Sequence, residues 1–549
     1  MAAGVGRRLR FGLDQEWIMK TIASVPVGCG CCMNRRQWLA AGCGACLSAL
    51  ATQNWGRVAS ADEGGSGASG ALAERPRVRL VFACFALKQQ RPTWPHIGYD
   101  FGPDIERMTR DLQQACPDVE LVPTVAHGPE DAQKLLASDE SDRIDGYVIY
   151  QMNNWVQVMQ TVVASGRPTL VADFPYAGSG GFLVYTAGLR RAHGNVSMIG
   201  STRLDDLAAM IRCFALLKQG KTTAEFVAAC DRVRRERTPQ YGNSACASDS
   251  VQVAGVGDCL EALRQSRLVT VGGAMQKLGR EIKELIGIEV IEVDFPEFVS
   301  VADQVDVQPV PELVARWQAN AKCVTLENPK ETLEASARLY LAQQAVLKKY
   351  AAEAITINCL GGFYGGHLKS YPCLGFVELL DVGLVGACEA DLLSTTTMLA
   401  MKHLVGRPGF ISDPVLDLSQ RQIIYAHCVA PTRMFGPGTN ANTFEILTHA
   451  EDRQGASVRS FLPVGYMTTT LEIHPGRKEI LVHRAKAVDN VVIDRACRTK
   501  LAGEVVGDYE KLHTFWDQYG WHRVTFYRDL LEPVRSLADG LQFRLVEEA

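Results

Sequence analysis

From residue 76 onward, short apolar runs alternate with stretches of helical periodicity, and this alternation limits most strongly what the chain can fold into. Apolar runs without polar interruption predict strands that are buried on both faces. Such strands, separated by helices, are typical of an open parallel sheet with helices on both sides. In the first unit we predict strands at 78–85, 119–125, 144–150 and 169–173, and helices at 103–115, 129–137 and 156–164.

A run of glycines at 178–181 marks a predicted break, after which a second α/β unit begins. The first domain is therefore placed at 76–180 and the second at 181–354. Neither this run nor Gly272-Gly273 completes a nucleotide-binding fingerprint, so both predict loops or tight turns. The second unit has predicted strands at 196–200, 267–271, 288–294 and 354–358, with helices at 204–218, 274–285 and 330–350.

Residues 355–549 contain more threonine, glycine and aromatic residues, and fewer long helical periods. We predict successive antiparallel strands at 459–462, 466–473 and 479–487, with turns between them. The predicted fold class is therefore α/β. Two N-terminal open parallel α/β (Rossmann-like) domains precede a C-terminal α+β domain, 355–549, with an antiparallel β-rich portion.

The N-terminal residues predict export. Arg35-Arg36 precedes a modest apolar stretch, and small residues at 58–61 follow it, which is the pattern of a twin-arginine signal peptide. We place an N-terminal extension and signal at 1–61, with cleavage after Ala61, and a flexible linker at 62–75. The expected partner is the twin-arginine export machinery, and the expected location is periplasmic or extracellular. A disordered basic tail is the alternative.

Size and composition describe an ordinary globular protein. Removal of 61 of the 549 residues leaves 488, enough for two or three domains. The net charge of −4 argues against nucleic acid as a partner. The apolar stretch of the signal is too short for stable membrane insertion. Twelve of the 17 cysteines follow residue 61 without a CxxC pair, which favours buried free thiols.

Four polar residues at the edges of apolar runs are candidate metal ligands. Glu389 is followed 24 residues later by Asp413, 14 residues after which comes His427, and His522 lies near the C-terminus. Two carboxylates and two imidazoles can bind one hard divalent cation. Each residue alone also has a structural explanation. Glu389 and the nearby Asp391 suit helix capping, Asp413 before Pro414 suits a turn, and the histidines suit a polar position in the core.

The C-terminal part resembles the L-fucose isomerase/L-arabinose isomerase superfamily, especially its fucose-isomerase-like members. Several short blocks occur in the family's order, although each alone is unspecific. They are Tyr371-Pro372-Cys373-Leu374, Ala387-Cys388-Glu389-Ala390-Asp391, Gly406-Arg407-Pro408-Gly409-Phe410 with Asp413, Ala426-His427-Cys428 with Pro431, His449 with Glu451, Cys497-Arg498-Thr499, and Gly520-Trp521-His522 with Tyr527 and Asp529.

This resemblance implies a manganese-dependent aldose–ketose isomerase that acts through an enediol. Glu389 and Asp413 match the family's carboxylate ligands, which also form the acid/base pair. His522 matches the C-terminal histidine ligand, and His427 matches a ligand of the arabinose-isomerase branch. The implied cofactor is Mn²⁺ or another divalent cation. The implied substrate is a small-molecule sugar, and the implied assembly is a homo-oligomer, either a trimer or a hexamer.

Two departures keep other functions open. Arg528 stands where the family often has glycine, and export is unusual for such isomerases. The alternatives are a non-catalytic sugar-binding or sensing protein on the same scaffold, and another metal-assisted carbonyl reaction such as that of an aldolase or epimerase. The segment 94–99 is either part of a sugar pocket or a structural loop.

Overall fold

The structure is a computed structural model that describes residues 74–242, 245–273 and 275–549. The predicted signal and nearly all of the predicted linker lie outside these residues and stay predictions.

The first sheet contains the strands of the first predicted unit. Its five parallel strands have the order β2-β1-β3-β4-β5. They are β1 (Arg77–Ala83), β2 (Glu120–Ala126), β3 (Gly146–Gln151), β4 (Thr169–Asp173) and β5 (Val196–Ile199), and the helices between them are α1 (Gly102–Ala115), α2 (Pro129–Asp139), α3 (Val158–Ala164) and α4 (Ser179–Ala192).

The predicted break at the glycine run is wrong, because helix α4 begins there and leads to β5 of the same sheet. A Cβ atom at Gly178 would lie 1.9 Å from the carbonyl oxygen of Gln151 at the end of β3. A Cβ atom at Gly180 would lie 2.7 Å from Nδ2 of Asn154. The glycines therefore allow the turn before α4, which ends at Gly178, and the first residues of this helix to pack closely on the end of a strand.

The second sheet is also parallel, with the order β10-β9-β6-β7. Of its last two strands in sequence, β9 begins at the domain boundary predicted at 354 and β10 lies beyond it, and that boundary stays a prediction. The strands are β6 (Arg267–Val271), β7 (Glu289–Val293), the separate short strand β8 (Cys323–Thr325), β9 (Ala354–Ile357) and β10 (Val385–Cys388).

The C-terminal part is built on a seven-stranded, mainly antiparallel sheet with the order β15-β18-β11-β12-β17-β16-β19. An additional pairing of β15 with β16 closes six of these strands on themselves. The strands are β11 (Phe410–Asp417), β12 (Gln422–His427), β13 (Phe444–Leu447), β14 (Ser457–Ser460), β15 (Met467–His474), β16 (Glu479–Asn490), β17 (Thr499–Val506), β18 (Arg523–Tyr527) and β19 (Arg544–Glu547).

The predicted succession of antiparallel strands holds for β15 and β16 but not for the strand before them. β14 pairs with β13, which in turn pairs with β8, and these three strands form a separate sheet. The remaining helices are α5 (Leu204–Ile211), α6 (Ala215–Lys218), α7 (Thr223–Arg237), α8 (Val256–Gln265), α9 (Gln276–Leu285), α10 (Phe295–Ala302), α11 (Val310–Asn320), α12 (Pro329–Lys349), α13 (Cys359–Tyr364), α14 (Cys373–Asp381), α15 (Leu392–Val405), α16 (Leu512–Phe515) and α17 (Leu531–Leu541).

The predicted fold class is confirmed, since two parallel sheets precede an antiparallel-rich C-terminal sheet. Among the described residues, no helix has the length and apolarity needed to cross a bilayer. Free thiols are found at all 12 cysteines after residue 61. Nine of these thiols are buried, as expected, while Cys213 and Cys246 are half-buried and Cys323 is exposed.

Glu353 joins helix α15 to the second sheet. Its carboxylate forms an ion pair with Lys402 and lies 2.9 Å from Nε2 of His403, and Ser266 also donates to it. Burial raises the pKa of Glu353, but these three partners outweigh it and lower the pKa to about 2. Because the carboxyl group is mostly shielded from water, its ion pairs favour the folded state at neutral pH.

We predict that Glu353→Gln lowers the free energy of unfolding by about 2–3 kcal/mol at pH 7. A depressed pKa gives stability that is present above pH ~4.5 and lost as the pH falls towards ~2. The difference from the wild type should therefore shrink across that window. Urea unfolding at several pH values measures it, with the exposed Glu327→Gln as control. A difference that is constant down to pH 2 would contradict this assignment.

Candidate functional site

The acidic segment after β10 was predicted either to bind metal or to cap a helix, and different residues of the segment suit the two roles. Strand β10 ends at Cys388, and Glu389 and Ala390 then adopt left-handed φ values of 65° and 53°. Asp391 follows as the N-cap of α15 and accepts a hydrogen bond from the Ser394 amide at 3.0 Å. Asp391 is thus the capping residue, while the unusual backbone at Glu389, costly for a non-glycine residue, directs that side chain elsewhere.

Asp413 does not lie in the turn that its position before Pro414 suggested. It lies within the eight-residue strand β11 and pairs with Ala426 of β12. The pairing of β11 with β18 on the other side covers only Phe410–Ser412. Proline therefore fits at position 414, because the missing N–H removes no ladder bond on the unpaired side.

Strand register brings both histidines towards Asp413. His427 is the last residue of β12, so its prediction as a strand-end histidine is confirmed. His522 directly precedes β18, and its neighbour Arg523 pairs with Ser412. The two imidazole rings lie 5.1 Å apart at an angle of 81°. Three strands of one antiparallel sheet thus supply three of the four predicted residues.

All four predicted residues meet in space. Nε2 of His522 lies 3.7 Å from Oε2 of Glu389 and 3.6 Å from Oδ1 of Asp413. Nε2 of His427 lies 3.7 Å from Oε1 of Glu389. Donor atoms of Glu389, His427 and His522 all lie within 4.8 Å of one another. The site is therefore formed where the end of the second parallel sheet meets the antiparallel sheet.

These donor atoms fit a bound cation. Nε2 of His427 and Nε2 of His522 are buried and have no hydrogen-bond partner, although carboxylate oxygens lie close to both. A buried polar atom without a partner is costly and rare. Ligands at about 2.2 Å from one shared ion lie roughly 3–4 Å from one another, which matches the observed spacings. The donor set of carboxylate oxygen and imidazole suits Mn²⁺.

A second layer of groups orients His522. Its Nδ1–H donates to Oδ2 of Asp391 at 2.9 Å, which leaves Nε2 free to face the site. Behind Asp391, the fully buried Glu472 accepts from Ser394 at 3.3 Å and from Thr397 at 3.2 Å. Burial raises the pKa of Glu472 well above its usual value, and the nearby Asp391 carboxylate adds to this effect.

The electrostatics of the site favour positive charge. Burial raises the pKa of Asp413 to about 6 against the attraction of the two histidines, and the nearby Glu389 carboxylate raises it further. Burial lowers the pKa of His522, but Asp413, Asp391 and Glu389 outweigh this and raise it to about 10. A cation at the centre of these carboxylates would relieve their mutual repulsion.

The opening of the site lies on the side of Glu389, whose side chain is 36% exposed whereas the other three predicted residues are buried. Trp155, from the loop after β3, stacks on Trp521 with ring centroids 4.4 Å apart. Trp521 directly precedes His522, and Tyr185 of α4 contacts both tryptophan rings edge-on. These three aromatic rings form a wall, and Trp521 connects the wall to the polar cluster because it is the sequence neighbour of His522.

Glu451 lies on another side of the site. Burial raises the pKa of Glu451 to about 8, and repulsion from Glu389 adds to this effect. The backbone oxygen of Glu451 accepts from the Ile97 amide at 2.7 Å, so the segment 94–99 contacts the surroundings of the site within the same chain. Next to Glu451, His449 stacks on Tyr371, which donates to Asp452 at 2.7 Å.

Sequence reasoning found the four polar residues but missed their supports. Glu451 appeared only as a member of a family-like block with no role assigned, and Asp391 was considered only as a helix cap. Trp155 carried a usable signal, because an Asn-Asn-Trp sequence directly after a buried strand is typical of a binding loop at the carboxyl edge of a parallel sheet. Glu472, which lies within a strand, had no local signal.

Comparison with known proteins gives a distant relationship. No family model matches the chain. Over 217 residues it is 22% identical to the sulfoquinovose isomerases of Priestia aryabhattai and Priestia megaterium. These matches cover 38% of this chain and 46% of each relative, so the chain spans about half the length of the relatives it matches.

Solved structures give only weak similarity. A solute-binding protein of an ABC transporter from Agrobacterium vitis, bound with alpha-D-tagatopyranose, is 13% identical with a TM-score of 0.17, over 52% of this chain and 75% of that chain. A sugar-binding protein from Bacillus halodurans is 12% identical with a TM-score of 0.16, over 60% and 87%. TM-scores this low carry no weight for the fold.

We predict that the capping role of Asp391 can be separated from its contact with His522. Asp391→Ala removes the N-cap and the contact with His522. Asp391→Asn keeps a good N-cap and loses the negative charge that faces His522. Asp391→Ala should therefore be less stable than Asp391→Asn by about 1–2 kcal/mol, because only the alanine variant leaves the Ser394 amide without its cap. Urea unfolding of the metal-free proteins measures this difference. Equal stability of the two variants would rule out the cap.

Proposed function

We propose that the protein is an exported, metal-dependent aldose–ketose sugar isomerase of the fucose/arabinose-isomerase type. The observation that carries this proposal is the convergence of Glu389, Asp413, His427 and His522, with two buried imidazole nitrogens that face carboxylates and lack hydrogen-bond partners. The distant similarity to sulfoquinovose isomerases supports the same reaction class. Export, a periplasmic or extracellular location, and a trimeric or hexameric assembly belong to this proposal.

The four residues would hold Mn²⁺ or another divalent cation. When bound there, the ion would supply Lewis-acid polarisation of the substrate carbonyl and would stabilise the negative charge that develops on oxygen. Asp391 would keep Nε2 of His522 directed at the ion through its hydrogen bond to Nδ1. The position of His427 supports its role as a metal ligand. Its Nε2 lies 3.7 Å from a carboxylate oxygen of Glu389, the same distance as Nε2 of His522.

Glu389 and Asp413 would form the acid/base pair. One carboxylate removes the proton at C2 of the aldose and the other returns a proton at C1, so the sugar passes through an enediol. Both carboxylates lie within 4 Å of the same imidazole nitrogen, which supports a role for both at one reacting centre. The burial of Asp413 would keep water away from the enediol, while the more exposed Glu389 would mark the side on which the sugar enters.

The stacked Trp155 and Trp521 would form the wall against which the apolar face of the sugar ring packs. Trp155 is 36% exposed, so it has aromatic surface to offer. Because Trp155 comes from the first sheet and Trp521 from the C-terminal part, sugar binding would use both regions of the chain.

We predict that the purified chain binds one Mn²⁺ ion and that Glu389→Gln weakens the affinity more than about 100-fold, since a charged ligand is lost. Asp391→Asn should weaken it about 10- to 100-fold through the orientation of His522. Isothermal titration calorimetry measures both, and the exposed Glu327→Gln serves as the matched control. Unchanged affinity in Glu389→Gln would remove this site from the proposal.

We predict that the Mn²⁺-loaded protein converts an aldose into the corresponding ketose. A panel of aldoses that includes sulfoquinovose, with product identification by NMR, tests this. Asp413→Asn should lower kcat about 10²- to 10⁴-fold at saturating Mn²⁺, the range expected for loss of a general acid or base. Cleavage products or a C2 epimer would point to an aldolase or an epimerase. Tight sugar binding without turnover would point to a binding protein.

A further inference from the structure

Three buried thiols from three separate elements meet directly behind the candidate metal site. Cys373 begins helix α14, Cys388 ends strand β10, and Cys428 follows strand β12. Their sulfur atoms all lie within 4.8 Å of one another, and all three residues are buried. A single buried cysteine is an ordinary small apolar residue, but three sulfurs at one point form a donor set.

The spacing of these sulfurs matches thiolate coordination. Sulfur ligands lie about 2.3 Å from a bound ion, so three of them around one ion are about 4 Å apart. Only a small inward movement would be needed from the observed separations. Three thiolates buried without a counter-ion would be strongly unfavourable, and a bound cation removes that cost. Thiolates select soft or borderline ions such as Cu(I) and Zn²⁺, whereas the carboxylates nearby select Mn²⁺.

The two donor sets share two strand ends but use different residues. Cys388 directly precedes Glu389, and Cys428 directly follows His427. The three sulfurs form one group of ligand atoms, and donor atoms of Glu389, His427 and His522 form another. One pair of strand ends therefore supports two sites of opposite chemical preference.

Two histidines lie beside the thiols and link them to the first site. Nε2 of His449 is 3.6 Å from Sγ of Cys428, and Nδ1 of His427 is 3.9 Å from the same sulfur. When Cys428 is a metal-bound thiolate, its sulfur accepts a hydrogen bond from Nδ1–H of His427. That bond fixes the tautomer in which Nε2 of His427 faces Glu389 as a lone-pair donor.

We propose that Cys373, Cys388 and Cys428 bind one soft, thiophilic metal ion in a structural site behind the carboxylate–histidine cluster. Binding releases the protons of the three thiols and requires no oxidant or reductant. The three ligands of this site are distinct from the residues assigned to the reaction, so metal binding here can be tested separately from the proposed isomerase activity.

Co²⁺ is the probe, because thiolate coordination gives it an intense charge-transfer absorption in the near ultraviolet that oxygen and nitrogen ligands do not give. The full chain is reduced, stripped of metal and titrated with Co²⁺ without oxygen. We expect one equivalent to produce the band and Zn²⁺ to abolish it. Glu389→Gln, which disables the first site, should leave the band unchanged. Loss of Mn²⁺ binding with retention of this band would therefore overturn only the isomerase proposal.

Cysteine variants locate the signal. Cys373→Ser should reduce the band at least fivefold, whereas Cys116→Ser, at a buried cysteine that directly follows helix α1, should leave it unchanged. Circular dichroism checks that each variant is folded. If Cys373→Ser does not fold, alkylation of the wild type replaces it. Zn²⁺ should slow modification of the three thiols at least tenfold and leave the exposed Cys323 unaffected. Absence of the band in the wild type, or its persistence in folded Cys373→Ser, would overturn the proposal.

Discussion

The concentration of three carboxylates around the single buried imidazole of His522 is the interaction on which the rest of the site depends. Asp391 binds one ring nitrogen of His522, and Glu389 and Asp413 lie near the other. Like charges at this spacing repel, and burial strengthens the repulsion because water no longer screens it. Such an arrangement persists in a folded protein when positive charge compensates it. His522 supplies this charge without metal, and a divalent cation supplies more of it.

The fold provides this arrangement by joining two kinds of sheet. The carboxyl end of a parallel strand delivers Glu389, and the register of three antiparallel strands delivers Asp413, His427 and His522. Because these strands are far apart in sequence, the site exists only when both sheets are complete. The contact of Trp155 with Trp521 extends the same dependence to the first sheet. The same strand ends also carry the thiols, which explains how two different donor sets lie so close together.

The sequence predicted the parallel strands well because their apolar runs are unbroken and carry a strong local signal. It also identified Glu389, Asp413, His427 and His522 as a set, since each lies at the edge of such a run. Long-range pairing was less accessible. No local pattern distinguishes β14, which pairs with β13, from the strands that pair with β15. The glycines at 178–181 resemble a turn in sequence, and only their contact with Gln151 and Asn154 shows that they allow close packing.

Exchange of substrate hydrogen with solvent is the measurement that tests the proposed function most directly. The protein is loaded with Mn²⁺ and incubated with its sugar in D₂O, and deuterium is located by NMR. A metal-dependent isomerase that uses Glu389 and Asp413 must place deuterium at C1 of the ketose and at C2 of the recovered aldose. The same incubation with Glu389→Gln should show none. A sugar that binds tightly but gains no deuterium at either carbon would contradict the proposed reaction.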